Sequence, residues 1–153
     1  MEKSLEIIKA TRTNFNKLID GLSIDALNEI PEKLNNNIIW NYGHIIAAQQ
    51  VLCYKLSGLE NKIDPQYIDK YRKGTKPELP IDQHEVDILK NYSTSNIDEL
   101  IVDLKNELFT GFKPYMSGFG IELRNIDDAI KFISIHESLH LGYAMVIKRL
   151  LKK

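Results

Sequence analysis

Cysteine is nearly absent from this chain: Cys53 stands alone, so no internal disulfide forms and the stapled frame of a small secreted domain is excluded. No apolar run approaches the ~20 residues needed to span a bilayer, and no membrane contact is expected. The opening Met1-Glu2-Lys3-Ser4-Leu5-Glu6 lacks the apolar stretch of a signal peptide. With the lone thiol, that sets a cytoplasmic expectation. Neither sign of charge prevails, because 20 Lys and Arg face 21 Asp and Glu. The basic excess of a nucleic-acid binder is therefore missing. Period-two alternation between turn signals is also missing, so no strand is expected. Ser117-Gly118-Phe119-Gly120 has glycines but no Gly-Lys-Ser/Thr, and a phosphate-cradling loop is not expected.

What is present is helical spacing. Hydrophobic residues make up 43% of the chain and charged residues 27%, enough apolar material for one core. The expectation is a single domain over residues 1–153. Leu5, Ile8, Phe15, Ile19 and Leu22 set a first helix over about 4–20, with Arg12 on the same line. Arg12 is expected at the edge, its charge snorkelling outward; the competing reading is an interior cation facing an anionic ligand. Ser23 caps a short turn to Glu29. Ile38 to Leu56 is apolar nearly all round, as in a helix buried on several sides, and Trp40, Asn41 and His44 share one of its faces. Residues 58–80, broken by Pro65, Gly74, Pro77 and Pro80, form a long connection of the kind used as a binding loop, with a helical turn near Gln66–Tyr71. A short helix over Asp82–Asn91 follows. Ser95 or Asn96 then caps a third main helix striped by Ile97, Leu100, Ile101, Leu104 and Leu108. Asn125 caps a fourth that runs to about Leu151. Asp127 and Asp128 suit its positive end, and Lys148, Arg149, Lys152 and Lys153 its negative end. The fold class is all-α, a four-helix bundle with a long connection between helices 2 and 3.

The last helix carries the chemistry. His136 and His140 lie four residues apart, one above the other on a helix, in an inward arc of Ala129, Ile133, Tyr143 and Ile147. A buried imidazole needs a hydrogen bond or a metal. His44, in the most apolar helix, is the third buried candidate. His84, between Gln83 and Glu85, is expected in solvent. Three neutral imidazoles leave coordination positions open, as catalytic metal sites do. Zinc and nickel suit them best, and iron is compatible.

His136-Glu137-x-x-His140 also spells the zincin protease motif, with Glu137 as base. The residues after His140, Leu141 to Lys153, include no His, Asp or Glu, so a third ligand is expected upstream. No strand is expected to present a peptide. Glu137 is then read as a group orienting an imidazole N–H, or as a surface carboxylate. Cys53, nine residues beyond His44, is half a turn out of phase with it and reads as a buried bystander.

Three segments resemble one family in the right order. Trp40-Asn41-Tyr42-Gly43-His44 resembles the Trp-x-x-Gly-His segment on the second helix of DinB/YfiT-like metalloenzymes. Tyr71-Arg72-Lys73-Gly74-Thr75-Lys76-Pro77 is similar to their loop between helices 2 and 3. His136-Glu137-Ser138-Leu139-His140-Leu141-Gly142 resembles their His-x-x-x-His-x-Gly segment. The resemblance implies an up-down-down-up bundle, often homodimeric, and a divalent metal on His44, His136 and His140. It further implies an S-transferase that uses a low-molecular-weight thiol on a small-molecule substrate. A metal-dependent hydrolase, or a metal- or ligand-binding bundle without turnover, stays open. Members often carry Gln after the Gly, where this chain has Tyr143, so no particular substrate carries over. Candidates for catalysis are Tyr143, Glu137 and Asn41. Candidates for cofactor contact are Trp40, Tyr71, Arg72 and Arg12, the arginines meeting a carboxylate of a peptide-like thiol.

Overall fold

Polar caps set the helix starts after the first, which begins at Met1 with no side-chain cap. The structure is a computed structural model describing residues 1–151. Helix α1 (Glu2–Asp20) is followed by a short α2 (Ile24–Asn28), whose cap Ser23 accepts from Ala26 N. Helix α3 (Ile38–Gln49) starts where Asn37 Oδ1 accepts from Trp40 N at 2.8 Å. It continues through a π-helical turn, Gln50–Tyr54, and a tighter 3₁₀ turn, Lys55–Ser57. Gly58, at φ 72°, ends it in the left-handed region that glycine adopts without strain. Helix α4 (Pro65–Tyr71) sits within the long connection, capped by Asp64 with proline at its first position. Helix α5 spans Gln83–Lys105 behind the cap Asp82, and α6 spans Ile126–Leu151. Asn125 Oδ1 accepts from Asp128 N at 2.9 Å, as expected of a cap. Lys152 and Lys153, expected at the negative end of α6, lie outside the described residues.

Two sequence expectations change. The short helix at 82–91 and the third main helix are one helix, α5, and neither Ser95 nor Asn96 caps anything. Its polar middle faces other polar groups: the carbonyls of Ser93 and Asn96 accept from Arg12 and Gln49 side chains. A two-residue ribbon also forms, with β1 (Tyr115–Met116) antiparallel to β2 (Glu122–Leu123) and Tyr115 opposite Leu123. Two rungs are too short to show period-two alternation.

Side-chain pairs fix the directions. Met1 meets Asp127 and Arg12 meets Glu137, so α1 and α6 run parallel. Lys9 pairs with Asp98 and Lys90 with Asp20, so α5 runs against α1. Asn16 meets Tyr42 and Arg12 meets Gln49, so α3 also runs against α1. The order is up, down, down, up, as the family resemblance implied. No described helix is long and apolar enough to cross a membrane. One apolar cluster centres on Phe15, Tyr42, Ile45 and Ile46, and a second on Tyr54, Leu100, Ile130 and Ile133. The histidines lie where α3 faces α6.

Candidate metal centre

Antiparallel α3 and α6 bring His44, His136 and His140 together. Each offers a ring nitrogen, and these atoms lie within 4.8 Å of one another. The ring centroids are 4.6–5.1 Å apart. Two of the three rings have a defined tautomer. His44 Nδ1 is 2.7 Å from the Tyr71 carbonyl oxygen, which can only accept, so Nδ1 carries the proton. His140 Nδ1 is 2.7 Å from Asn41 Oδ1. The Asn41 amide donates to Asn37 O at 2.7 Å and Asn36 Oδ1 at 3.1 Å, which turns its oxygen toward the imidazole. Both rings therefore keep Nε2 as a lone-pair donor, the arrangement found around metal-ligating histidines. His136 Nδ1 is buried without a hydrogen-bond partner among the described residues. An orphaned nitrogen in a converging set of neutral nitrogen donors fits a divalent ion.

Burial keeps these rings neutral. It lowers the His44 pKa from its ordinary value against the opposing effect of the Tyr71 carbonyl. It lowers His136 to about 4, with a further contribution from His44, and His140 to about 3, helped by both neighbours. Charging one of them costs desolvation, and charging two at once adds their mutual repulsion.

Neighbouring residues hold this geometry. The Trp40 ring stacks on His44, with centroids 4.8 Å apart and planes at 10°, and its Nε1 donates to Thr75 Oγ1 at 3.2 Å. Gly43 is required by Tyr71. A Cβ at position 43 would come within 2.6 Å of the Tyr71 ring carbons Cε1 and Cγ. Only glycine lets that ring pack against α3 while its carbonyl reaches His44. The Tyr71 hydroxyl is anchored on Glu85 Oε1 at 2.6 Å.

The structure separates the other candidates. Glu137 neither orients an imidazole nor lies at the surface. It is 0% exposed, and its two oxygens accept from Arg12 Nε at 3.0 Å and Nη2 at 2.7 Å. Burial pushes its carboxyl pKa up while the guanidinium opposes that. Arg12 is 3% exposed and also donates to Gln49 Oε1 and the Ser93 carbonyl. It is an interior cation with an internal anion, not an edge residue, and its burial closes it to a ligand carboxylate. Tyr143 is 36% exposed on the outer side of α6. Trp40 and Tyr71 border a cavity of about 250 Å³ whose lining also includes Asn37 and Thr75. Arg72 borders a larger one of about 520 Å³, which His44 and His136 open into. Sequence reading missed the other walls of that cavity, among them Lys55, Lys73, Phe119 and Phe132. Phe132 gave a signal, one turn before His136. Phe119 did not, because the ribbon that carries it over was not foreseen. Cys53 is fully buried, burial pushes its thiol pKa up, and it is an inert bystander. His84 is exposed, as expected.

The fold and site together define a helical bundle with a three-histidine cluster between its second and last long helices. The DinB superfamily model matches residues 7–144, and the chain belongs to that family. A solved structure of a conserved protein from Enterococcus faecalis is similar, with a TM-score of 0.67 at 14% identity, covering 99% of this chain and 97% of that one. At that identity the likeness speaks for the fold. Comparison with curated proteins gave no match.

Proposed function

We propose that the chain is a divalent-metal-dependent S-transferase that joins a low-molecular-weight thiol to a small electrophilic substrate. Zinc or nickel is the ion the donor set favours. The observation that carries the metal reading is the convergence of three neutral imidazoles, two held as Nδ1–H tautomers and the third with an orphaned nitrogen. When bound, a divalent ion lowers the pKa of a thiol or water that reaches it and stabilises the anion. His44, His136 and His140 would hold the ion. Asn41 and the Tyr71 carbonyl fix two of the rings, and Trp40 supports the plane of His44.

The choice of a thiol rests on what Glu137 is doing. The carboxylate nearest in sequence to the ligands is held by Arg12 and is not free to act as a base. A thiol, with a pKa of about 8.5, needs far less help to ionise than water at about 15.7. In the transfer, sulfur bonds to the electrophilic carbon, the leaving group departs with its electron pair, and the thiol proton goes to solvent.

The test is a screen of bacillithiol, mycothiol, glutathione and cysteine against monobromobimane, with native protein and the His140→Ala variant. Thiol-dependent turnover above the spontaneous rate, lost in the variant, is expected. Ester hydrolysis without any thiol-dependent reaction would overturn the transferase reading in favour of a hydrolase.

A homodimer is proposed on the outer face of α6. Ile135, Leu139, Tyr143, Val146 and Leu150 are 36–55% exposed at the three- and four-residue spacing of a helix–helix seam. Gly142 in their midst has nothing within 4 Å of its Cβ position, which leaves room for close approach. A second copy presents the same stripe, as a two-fold interface requires.

A further inference from the structure

We propose that the cavity beside His44 and His136 selects an organic anion, with an apolar, preferably aromatic body and a terminal carboxylate, sulfonate or phosphate held by Lys55, Arg72 and Lys73. As a substrate class this rests on the reading of the imidazoles as the reactive centre.

The cavity, about 520 Å³, falls in the range of ~300–1,000 Å³ usual for small-molecule sites. Its inner walls are apolar. Ala47, Val51 and Leu52 come from the α3 side, Phe132 from α6 and Phe119 from the loop after β1. Phe119 meets Phe132 edge-on, with centroids 5.4 Å apart, and Phe132 stacks on His136 at 5.8 Å. An aromatic body laid along these rings leads to the imidazoles, and such pairs are favourable beyond the area they bury.

The rim carries the opposite chemistry. Lys55 comes from the last turn of the α3 extension, and Arg72 and Lys73 from the chain just after α4. Lys73 reaches across the mouth, its Nζ 3.2 Å from where a Cβ on Gly118 would lie. Asp69 is the carboxylate lining the cavity; it is 3.6 Å from Arg72 Nε and 78% exposed, a pair that contributes little. Neither Lys55 nor Lys73 has a carboxylate within 4.0 Å among the described residues. By contrast, Lys62 and Lys70 of the same connection pair with Asp103 at 3.3 Å and Glu85 at 2.7 Å. Three positive groups around one mouth, against one weakly engaged carboxylate, raise the local concentration of anions.

The probe pair is naphthalene-2-sulfonate and the neutral methyl naphthyl sulfone, titrated calorimetrically into the full chain at low and high salt. The native protein is expected to bind the sulfonate about tenfold tighter at low salt, as a few partly screened charge contacts provide. The preference should shrink at high salt. In the Lys55→Gln/Lys73→Gln variant it should fall to about twofold or less, with affinity for the sulfone unchanged. Equal affinities in the native protein, no binding of either probe, or a preference that survives the double substitution would overturn the proposal. Metal content is measured in the same samples. Metal present without anion preference defeats this inference alone. Anion preference without metal keeps the pocket and defeats the metal-centre reading.

Discussion

Arg12 on α1 holds Glu137 on α6 through two parallel hydrogen bonds of 3.0 and 2.7 Å, both residues essentially without solvent contact. The same guanidinium reaches Gln49 on α3 and the Ser93 carbonyl on α5, so one side chain touches all four long helices. Breaking a buried pair from one side strands the other charge. Arg12→Ala and Glu137→Ala should each cost about 3–5 kcal/mol in chemical denaturation. The Arg12→Met/Glu137→Leu double variant should cost less than either, about 1–3 kcal/mol for the orphaned Gln49 oxygen. Additive losses would contradict the pairing.

That pair also marks where sequence reading stops. The histidines were legible, because two stand one turn apart and the third interrupts an otherwise apolar helix. Arg12 was placed at a helix edge because its partner lies 125 residues away, and spacing within a helix carries no information about that distance. The polar run Tyr92-Ser93-Thr94-Ser95-Asn96 looked like a helix start. It is the middle of α5, since the groups that make it tolerable, Arg12 and Gln49, belong to other helices. Glu137 completed a protease spelling, and only tertiary packing reveals that a guanidinium occupies it. Tyr71 was legible as part of a motif, but its role comes from a backbone carbonyl, to which side-chain identity gives no clue.

Two glycines on the helices that carry the imidazoles should respond in opposite ways to alanine. Gly43→Ala forces the Tyr71 ring away from α3 and should cost about 1–3 kcal/mol, with weaker metal retention as the Tyr71 carbonyl leaves His44. Gly142→Ala meets nothing within 4 Å and should stabilise the isolated chain by about 0.5–1 kcal/mol. Thermal melts read both effects when every protein compared also carries Leu139→Glu, which keeps the chain monomeric. A neutral Gly43→Ala would contradict the close approach.

Acid should destabilise the metal-free protein through the imidazoles. Their folded pKa values are lowered, His136 to about 4 and His140 to about 3, against roughly 6.5 when unfolded. Between these values the unfolded chain binds more protons than the folded one, so stability falls as pH falls. The contribution is complete above the unfolded pKa and is lost progressively from there toward the folded values. Urea midpoints recorded with a chelator across that window should decline toward acid. The decline should be shallower in His136→Gln. A flat profile would be inconsistent with neutral buried rings.

The α6 stripe gives a separate test. Leu139→Glu places a charge in the proposed seam while leaving the core untouched, because Leu139 is 52% exposed. Sedimentation velocity should show a dimer for the native chain and a monomer of unchanged helicity for the variant. A native monomer, or a dimer indifferent to the substitution, would remove this face as the interface.

The central claim is tested most directly by elemental analysis of protein purified without a histidine tag, alongside His140→Ala prepared identically. About one equivalent of a divalent ion per chain is predicted for the native protein, as expected of a single three-imidazole site. The variant should retain well under half of that, with its helical content preserved. Equal metal content in the two proteins, or none in the native chain after incubation with zinc and nickel, would contradict it.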